Sequence, residues 1–412
     1  MAIGRKDLET MVASAKTIVI SGYYGFRNSG DEAVLKSILT ALEVEGKSQG
    51  VAITPVVLSI DPESTSSTYG VRSVHRMKLG EVRRAIAESD GLISGGGSLL
   101  QDATSPKTIP YYLAIIKMAQ WAKKPTFIYA QGVGPVNRKW FHPMIRSVFR
   151  KCTYISVRDP QSAELLRSMG ISPDDINVVA DPVMGLPLGD SMGKGSSQEL
   201  LGDTIAGEVS VQGMGLENSP GGGSVSPQEL PVIGISVRFW DSQRRELNAI
   251  AEGLTSLMRS RPVHIRFLPF HQPDDEEASR YITERMGDIT SYGGKISFYL
   301  EEQQPQDMLR EVSRCQLVLG MRLHSLIYAA NQSVPLIGIS YDPKIDHFLR
   351  RLDSAPVGST DSLQAEDLKR LMISMLEQPE AWKTEHQAHI DQLKLEAGLP
   401  ARQIVQYLGH RG

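Results

Sequence analysis

The stretch GMRLHS places Arg322 and His324, a permanent cation and a titratable ring, two residues apart. They lie between an apolar run, QLVLG (316–320), and a helix-like segment. A strand-to-helix turn aims helix N–H groups outward and attracts anions. An imidazole there is a candidate acid/base, because its ordinary titration range spans neutral pH. Arg238 in GISVRFW and His271 in FLPFHQPDD end two other apolar runs in the same half of the chain. So much positive charge suits a ligand with two separated negative groups. The competing reading is a structural salt bridge at Arg322 and a satisfied histidine. Asp274 and Asp275 open the next helix, where acidic residues serve as ordinary N-terminal caps.

The first half carries a different chemistry, glycines followed by neutral or acidic polar groups. In SGYYGFRNSGDEAVL (21–35), Gly22, Gly25 and Gly30 allow close backbone approach, and Asn28 and Asp31 sit where sugar hydroxyls could be read. Glu32 fits a residue that complements the helix dipole. The spacing departs from GxGxxG, which argues against a dinucleotide site. In ISGGGSLLQD (93–102), Gly95, Gly96 and Gly97 precede Gln101 and Asp102. AQGVGP (130–135) repeats the arrangement with Gln131. SVRDPQS (156–162) offers Arg158 and Asp159, which fit a capping pair as well as a ligand role.

Short apolar runs must hold these residues in place. TIVISG (17–22), ITPVVLSI (53–60), GLISGG (91–96), TFIYAQG (126–132), YISVR (154–158) and INVVAD (176–181) read as strands buried on both faces. Helical segments alternate with them, which predicts a doubly wound α/β domain over 1–184. Residues 185–230 turn Gly/Ser-rich without sustained periodicity and read as a flexible linker or insertion. A second α/β run follows over 231–412: VIGISVR (232–238), HIRFLPF (264–270), KISFYL (295–300), QLVLG and PLIGIS (335–340), then helices from about Ser362. The prediction is an α/β fold of two Rossmann-like domains, GT-B-like, with a cleft between them and a C-terminal helical segment.

The bulk numbers narrow the class. A chain of 412 residues with net charge -3, 41% hydrophobic and 22% charged residues is that of a globular protein with no bias toward nucleic acid. No HExxH or Cys/His cluster with metal spacing occurs, so no metal site is expected. Cys152 and Cys315 fall in apolar patterns and read as buried free thiols, suited to a reducing cytoplasm. The N-terminal MAIGRKDLETMVASAKT lacks a signal peptide's apolar stretch, and no segment approaches a membrane span. In RKWFHPMIRSVFRKC (138–152), Phe141, Met144, Ile145, Val148, Phe149 and Cys152 form one helical stripe opposite Lys139, Arg146 and Arg150. That pattern fits a packed crossover helix with a solvated basic face. It also fits a patch that meets anionic lipid or a lipid pyrophosphate, giving peripheral contact at the inner membrane face.

Taken in order, YYGFRNSGDEAVL, ISGGGSLLQD, AQGVGP, SVRDPQS and MRLHSLIYAANQSVPLIGISYDPK resemble the successive motifs of the polysaccharide pyruvyltransferases. The wording is most similar to the CsaB type, which acts on the cell-wall polysaccharide that anchors S-layer proteins. The resemblance implies transfer of pyruvate from phosphoenolpyruvate onto O4 and O6 of N-acetylmannosamine (ManNAc) in a lipid-linked precursor. Phosphoenolpyruvate is then a co-substrate, and no cofactor is needed. Arg322 and His324 match the family's Arg-Leu-His motif. The implied donor set is Arg322, Arg238, His271 and Ser325, with His324 catalytic. The implied acceptor set is Tyr24, Asn28, Asp31, Gly96, Gly97, Gln101, Asp102 and Gln131. Two other classes stay open, a GT-B glycosyltransferase using a nucleotide sugar and a non-catalytic saccharide-binding module. Against the first, no clear carboxylate follows the GMRLHS helix to grip a ribose. Against the second, neutral sugars need no such charge.

Overall fold

The computed structural model describes residues 15–103, 105–189, 230–300 and 304–410. The chain divides into two compact units, Met1–Leu186 with Ile390–Gly412, and Pro187–His389. The predicted linker over 185–230 lies outside the described residues except at its two ends.

The first unit holds seven parallel strands: β1 (Lys16–Ser21), β2 (Ile53–Ser59), β3 (Arg72–His75), β4 (Gly91–Gly95), β5 (Thr126–Gln131), β6 (Tyr154–Val157) and β7 (Ile176–Val178). Their spatial order is β3-β2-β1-β4-β5-β6-β7. Between them run α1 (Ser29–Gln49), α2 (Pro62–Tyr69), α3 (Leu79–Glu88), α4 (Thr108–Trp121), α5 (Phe141–Phe149) and α6 (Pro160–Ser168). The predicted apolar runs all became strands. β3 escaped prediction because RSVH is a short edge strand in which only Val74 is buried.

Helix α1 shows how local chemistry sets an element. Asn28 caps it by accepting the Gly30 N–H at 3.1 Å, and Asp31 and Glu32 follow in the first turn. Ala33, Val34, Leu35, Ile38 and Leu42 are buried. The helix stops at Gly50, whose φ of 68° lets its N–H reach back to the Gly46 and Lys47 carbonyls. In α5, Phe141, Ile145, Val148 and Phe149 are buried, while Arg146 and the flanking Lys139 and Arg150 are exposed, as the stripe predicts. Met144 departs from the stripe and is exposed. Cys315 is buried and Cys152 half-buried, both are free, and burial pushes both thiols up to about 12.

The second unit repeats the plan with β8 (Val232–Ser236), β9 (His264–Phe267), β10 (Lys295–Phe298), β11 (Leu317–Gly320), β12 (Leu336–Ser340) and the two-residue β13 (Gly358–Ser359). All pair in parallel, in the order β10-β9-β8-β11-β12-β13. The helices are α7 (Arg245–Ser260), α8 (Asp274–Met286), α9 (Pro305–Ser313), α10 (Leu323–Asn331), α11 (Pro343–Arg351) and α12 (Ala365–Glu377). No described helix is long and apolar enough to cross a membrane.

The last helix, α13 (Pro379–Gly409), corrects the second boundary predicted from sequence. Its residues from Ile390 onward belong with the first unit rather than with 231–389. The reason is packing. Ile404, Val405 and Leu408 are buried, Tyr407 meets Phe127 edge-on at 5.5 Å, and Gln49 donates to the Arg402 carbonyl at 3.3 Å. Truncating Ile404, which has no solvent exposure, should therefore destabilise the first unit. Ile404→Ala is expected to cost about 2–5 kcal/mol in urea unfolding. An unchanged midpoint would remove this packing as the helix's anchor.

Candidate functional site

In each sheet the strand order reverses at one point, between β1 and β4 in the first unit and between β8 and β11 in the second. Loops at the carboxyl ends of strands flanking such a switch point form the crevice where open α/β sheets bind ligands. The expected residues gather at both points, and each point has its own chemistry.

In the second unit, Met321 donates its N–H to the Ser236 carbonyl at 2.8 Å, which brings the ends of β8 and β11 side by side. Arg238 and Arg322 follow immediately on those ends. Arg322 occupies the N-cap position of α10 in extended backbone. Its guanidinium grips Asp275 through Nε, 3.1 Å from Oδ1 and 2.9 Å from Oδ2, and through Nη2 to Oδ1. Asp275 has no solvent exposure, and its Oδ2 also accepts the N–H groups of Phe270 and His271 at 3.1 and 2.9 Å. The acid expected to cap α8 and the arginine expected at an anion are thus one buried pair. Only the Nε/Nη2 edge of the guanidinium is used, so Nη1 takes no part in the pair. The side chain keeps 17% exposure.

Arg238 donates from Nη1 to the Tyr341 hydroxyl at 3.1 Å and lies 5.0 and 5.4 Å from the Tyr341 and Trp240 ring centroids. The loop that carries it is tied by Glu246, a carboxyl with no solvent exposure that accepts the Asp241 N–H at 3.3 Å. Burial raises the pKa of that carboxyl. His271 is half-exposed, with Nδ1 3.8 Å from Asp274, and Asp275 fixes its backbone. His324 is half-buried in the first turn of α10. Ser325 does not fit the donor set. Its hydroxyl has no solvent exposure and donates to the Arg322 carbonyl at 2.7 Å, closing the helix turn. Tyr341 and Trp240, which flank Arg238, escaped sequence reasoning. The signal for Tyr341 was ISYDPK, a strand followed by a capped helix.

In the first unit, Asn28, Asp31, Gly97 and Gln101 come to the β1/β4 switch point. Gly97 has φ +74°, and a Cβ there would lie 3.0 Å from Asp31 Oδ1, so the loop needs glycine to pass the carboxylate. Asn28 uses its side-chain oxygen to cap α1. Gln101 accepts the Ala103 N–H at 2.8 Å.

Three expected acceptor residues, Tyr24, Gly96 and Asp102, serve the framework instead, and Gln131 is buried at the end of β5. Tyr24 is buried and donates to the Gly95 carbonyl at 2.8 Å. Gly96 has φ +65°, and its Cβ would lie 1.8 Å from Val34 Cγ1, so packing on α1 requires it. Gln131 has no solvent exposure, and neither amide atom meets a hydrogen-bond partner among the described residues. Asp102 is buried and accepts the N–H groups of Asn137 and Arg138, both at 2.8 Å.

Burial alone would raise the Asp102 pKa. The two N–H groups and the Arg138 guanidinium outweigh it and hold the carboxyl below its ordinary value. Glu32 is raised by burial, although the Tyr69 hydroxyl at 2.6 Å and the Gly25 N–H at 2.8 Å oppose this. It fastens the 22–28 loop rather than merely balancing a dipole. Asp159 caps α6 through the Ser162 N–H, while Arg158 forms a buried ion pair with Asp181 at 2.8 Å and bonds Ser98 at 2.7 Å.

With this geometry in hand, comparisons identify relatives. The model of the polysaccharide pyruvyl transferase family matches residues 28–343. Amylovoran biosynthesis protein AmsJ of Erwinia amylovora is 24% identical over 265 residues, covering 63% of this chain. The match spans 58% of that relative's length. A solved UDP-N-acetylglucosamine 2-epimerase of Neisseria meningitidis, bound to UDP-GlcNAc, aligns with TM-score 0.61 at 14% identity over 96% of this chain and 100% of that one. A putative enzyme of the same class from Listeria monocytogenes aligns with TM-score 0.64 at 14% identity over 97% of each chain. A glycosyltransferase of Rickettsia africae aligns with TM-score 0.60 at 12% identity over 96% and 98%. At such identities the likeness is one of fold, and the fold is GT-B-like.

Two expectations follow. Asp275→Ala leaves Arg322 without its buried partner and should cost about 3–5 kcal/mol in urea unfolding. A loss too small to measure would mean the pair is not structural. The depressed Asp102 contributes stability above its ordinary pKa of 3.8, and this is lost as pH falls through the lower folded value. Asp102→Asn should therefore lose less stability on acidification through that window, read as urea midpoint against pH. An acid limb as steep as the wild type's would contradict it.

Proposed function

The chain belongs to the polysaccharide pyruvyl transferase family, and from that premise we propose that it transfers pyruvate from phosphoenolpyruvate to two hydroxyls of a saccharide. The proposed acceptor is O4 and O6 of N-acetylmannosamine in a lipid-linked secondary cell-wall polysaccharide precursor, and the product would anchor S-layer proteins. The observation that carries the reading is the pair of arginines at the β8/β11 switch point, with Arg322 held by Asp275 through one edge of its guanidinium. Phosphoenolpyruvate carries a phosphate and a carboxylate on adjacent atoms. Two fixed guanidinium groups beside a helix N-terminus suit such an anion, since each can bind it in a forked geometry.

The chemistry is a double addition. A proton is added to the methylene carbon of the enol phosphate, and C2 becomes electrophilic. One sugar hydroxyl forms a bond to C2 and gives up its proton. The C2–O bond to phosphate then breaks, phosphate leaves with the bonding electrons, and the second hydroxyl closes the ketal. One hydroxyl proton ends in the new methyl group and the other on phosphate. No redox cofactor enters this scheme. His324, two residues from Arg322, is the proposed acid/base, and Arg238 and His271 complete the donor side. Asn28, Asp31, Gly97 and Gln101 form the proposed acceptor side.

We assign the work to the cytoplasmic side of the membrane. Support comes from the exposed Lys139, Arg146 and Arg150 on and beside α5, next to an exposed Trp140.

Phosphate release and acceptor mass should be measured with phosphoenolpyruvate or UDP-sugars and a ManNAc-containing acceptor. Phosphate release and a pyruvylated acceptor with phosphoenolpyruvate are expected, and a product formed only with a UDP-sugar would overturn the reading. His324→Ala should lower kcat about 10²–10⁴-fold and keep donor binding. Arg322→Lys keeps charge against Asp275 but loses the fork, so donor Kd should rise about tenfold or more. Near-normal turnover in the first variant, or an unchanged donor Kd in the second, would reject the assigned role.

A further inference from the structure

The loop after β1 presents an aromatic surface that core packing does not explain. Tyr23 and Phe26 stack face to face, with ring centroids 3.9 Å apart and planes within 4°. Tyr23 remains 41% exposed, while the next residue, Tyr24, is buried and bonded to the Gly95 carbonyl. The alternation fixes which ring points out. The loop itself is pinned at several points. Arg76 donates to the Gly22 carbonyl at 2.8 Å, Glu32 accepts the Gly25 N–H at 2.8 Å, and the Ile60 N–H bonds the Tyr24 carbonyl at 3.1 Å.

Arg76 is the unusual support. It is 6% exposed, and its guanidinium lies 5.4 Å from the Phe26 centroid and 5.9 Å from that of Tyr23. A buried arginine has thus been placed near the stacked pair and bonded to the loop that carries it. A ring pair recruited to fill the core would be buried. A merely solvated loop tip would not need a buried cation and a half-buried carboxylate to hold it. The arrangement keeps an aromatic face exposed at the switch point, where open α/β sheets bind ligands.

We propose that the face of Tyr23 not covered by Phe26 is a stacking platform for a pyranose ring of the saccharide acceptor. For what becomes of that saccharide, the proposal rests on the pyruvyl-transfer reading. The face of an aromatic ring carries negative charge density, and the C–H hydrogens on one face of a pyranose carry partial positive charge. The hydroxyls at the rim of such a sugar need polar partners, and Asn28 and Asp31 follow within the next eight residues. Asp31 is close enough to Tyr23 to help raise its phenol pKa, after the larger effect of burial. Tyr23 and Phe26 precede the matched residues 28–343, so the family model assigns them nothing.

The test uses the full chain, a ManNAc-terminated disaccharide and phosphoenolpyruvate, each titrated separately by calorimetry. Tyr23→Ala should weaken disaccharide binding about tenfold, equivalent to about 1.4 kcal/mol. Phosphoenolpyruvate Kd and the melting temperature should not move, because Tyr23 is exposed. Tyr23→Phe keeps the ring and should bind the disaccharide as the wild type does. Wild-type disaccharide affinity in Tyr23→Ala would overturn the platform, and so would failure of the wild-type chain to bind the disaccharide. Loss of both ligands together with a lowered melting temperature would also overturn it, as a purely structural role. A wild-type chain that binds the disaccharide through Tyr23 yet releases no phosphate keeps the platform and ends the transfer reading. Transfer with an unchanged acceptor KM in Tyr23→Ala does the reverse.

Discussion

The second unit's site depends on one buried carboxylate. Asp275 accepts two backbone N–H groups from the loop after β9 and binds Arg322 at the end of β11. The strand between them, β8, carries Arg238. The ends of β9 and β11, which are not neighbours, are therefore linked by side-chain charge across β8, whose own end pairs with both through backbone hydrogen bonds. A buried pair of this kind gains little net stability, because both partners lose hydration. Its effect is positional. A guanidinium gripped along one edge cannot swing away, so its remaining N–H donors on Nη1 and Nη2 are preorganised.

The same device recurs in three other loops that leave strands. Glu32 holds the Gly25 N–H, Asp102 holds those of Asn137 and Arg138, and Glu246 holds that of Asp241. Loops over an open sheet have backbone donors that no strand or helix satisfies. A nearby carboxylate answers them with charge-assisted hydrogen bonds and fixes loop shape without filling the crevice. The cost appears in the carboxyls themselves. Glu32 and Glu246 are buried enough to be raised, while the more fully bonded Asp102 is lowered.

Around this common scaffold the two units differ in what they expose. The second gathers arginines and histidines and an aromatic pair beside Arg238. The first gathers an amide, a carboxylate, glycines and a stacked aromatic pair. Charge on one sheet, and hydrogen-bonding groups with aromatic rings on the other, are the grounds on which a doubly anionic donor and a sugar acceptor are proposed. The GT-B-like fold is shared with sugar-nucleotide enzymes, so this chemistry resides in the loops and not in the fold.

Periodicity and punctuation determined the elements. Short apolar runs specified eleven of the thirteen strands, because strands of a parallel sheet covered by helices are rich in apolar residues. The residues at strand ends were also legible, since only their positions expose polar groups at the crevice. Tertiary structure decided the rest. RSVH became a strand only because β2 was there to pair with it, and residues from Ile390 onward joined the first unit through contacts hundreds of positions distant. Most of all, the sequence could not separate polar groups that face the crevice from those that brace it. Tyr23 and Tyr24 are adjacent and chemically identical, yet one is exposed and the other bonded inside. Asp274 and Asp275 open the same helix, but only Asp275 is within reach of Arg322, 47 residues away. Residue type and spacing determine what a side chain can bind. Which partner it meets depends on the strand order, and no local pattern encodes that.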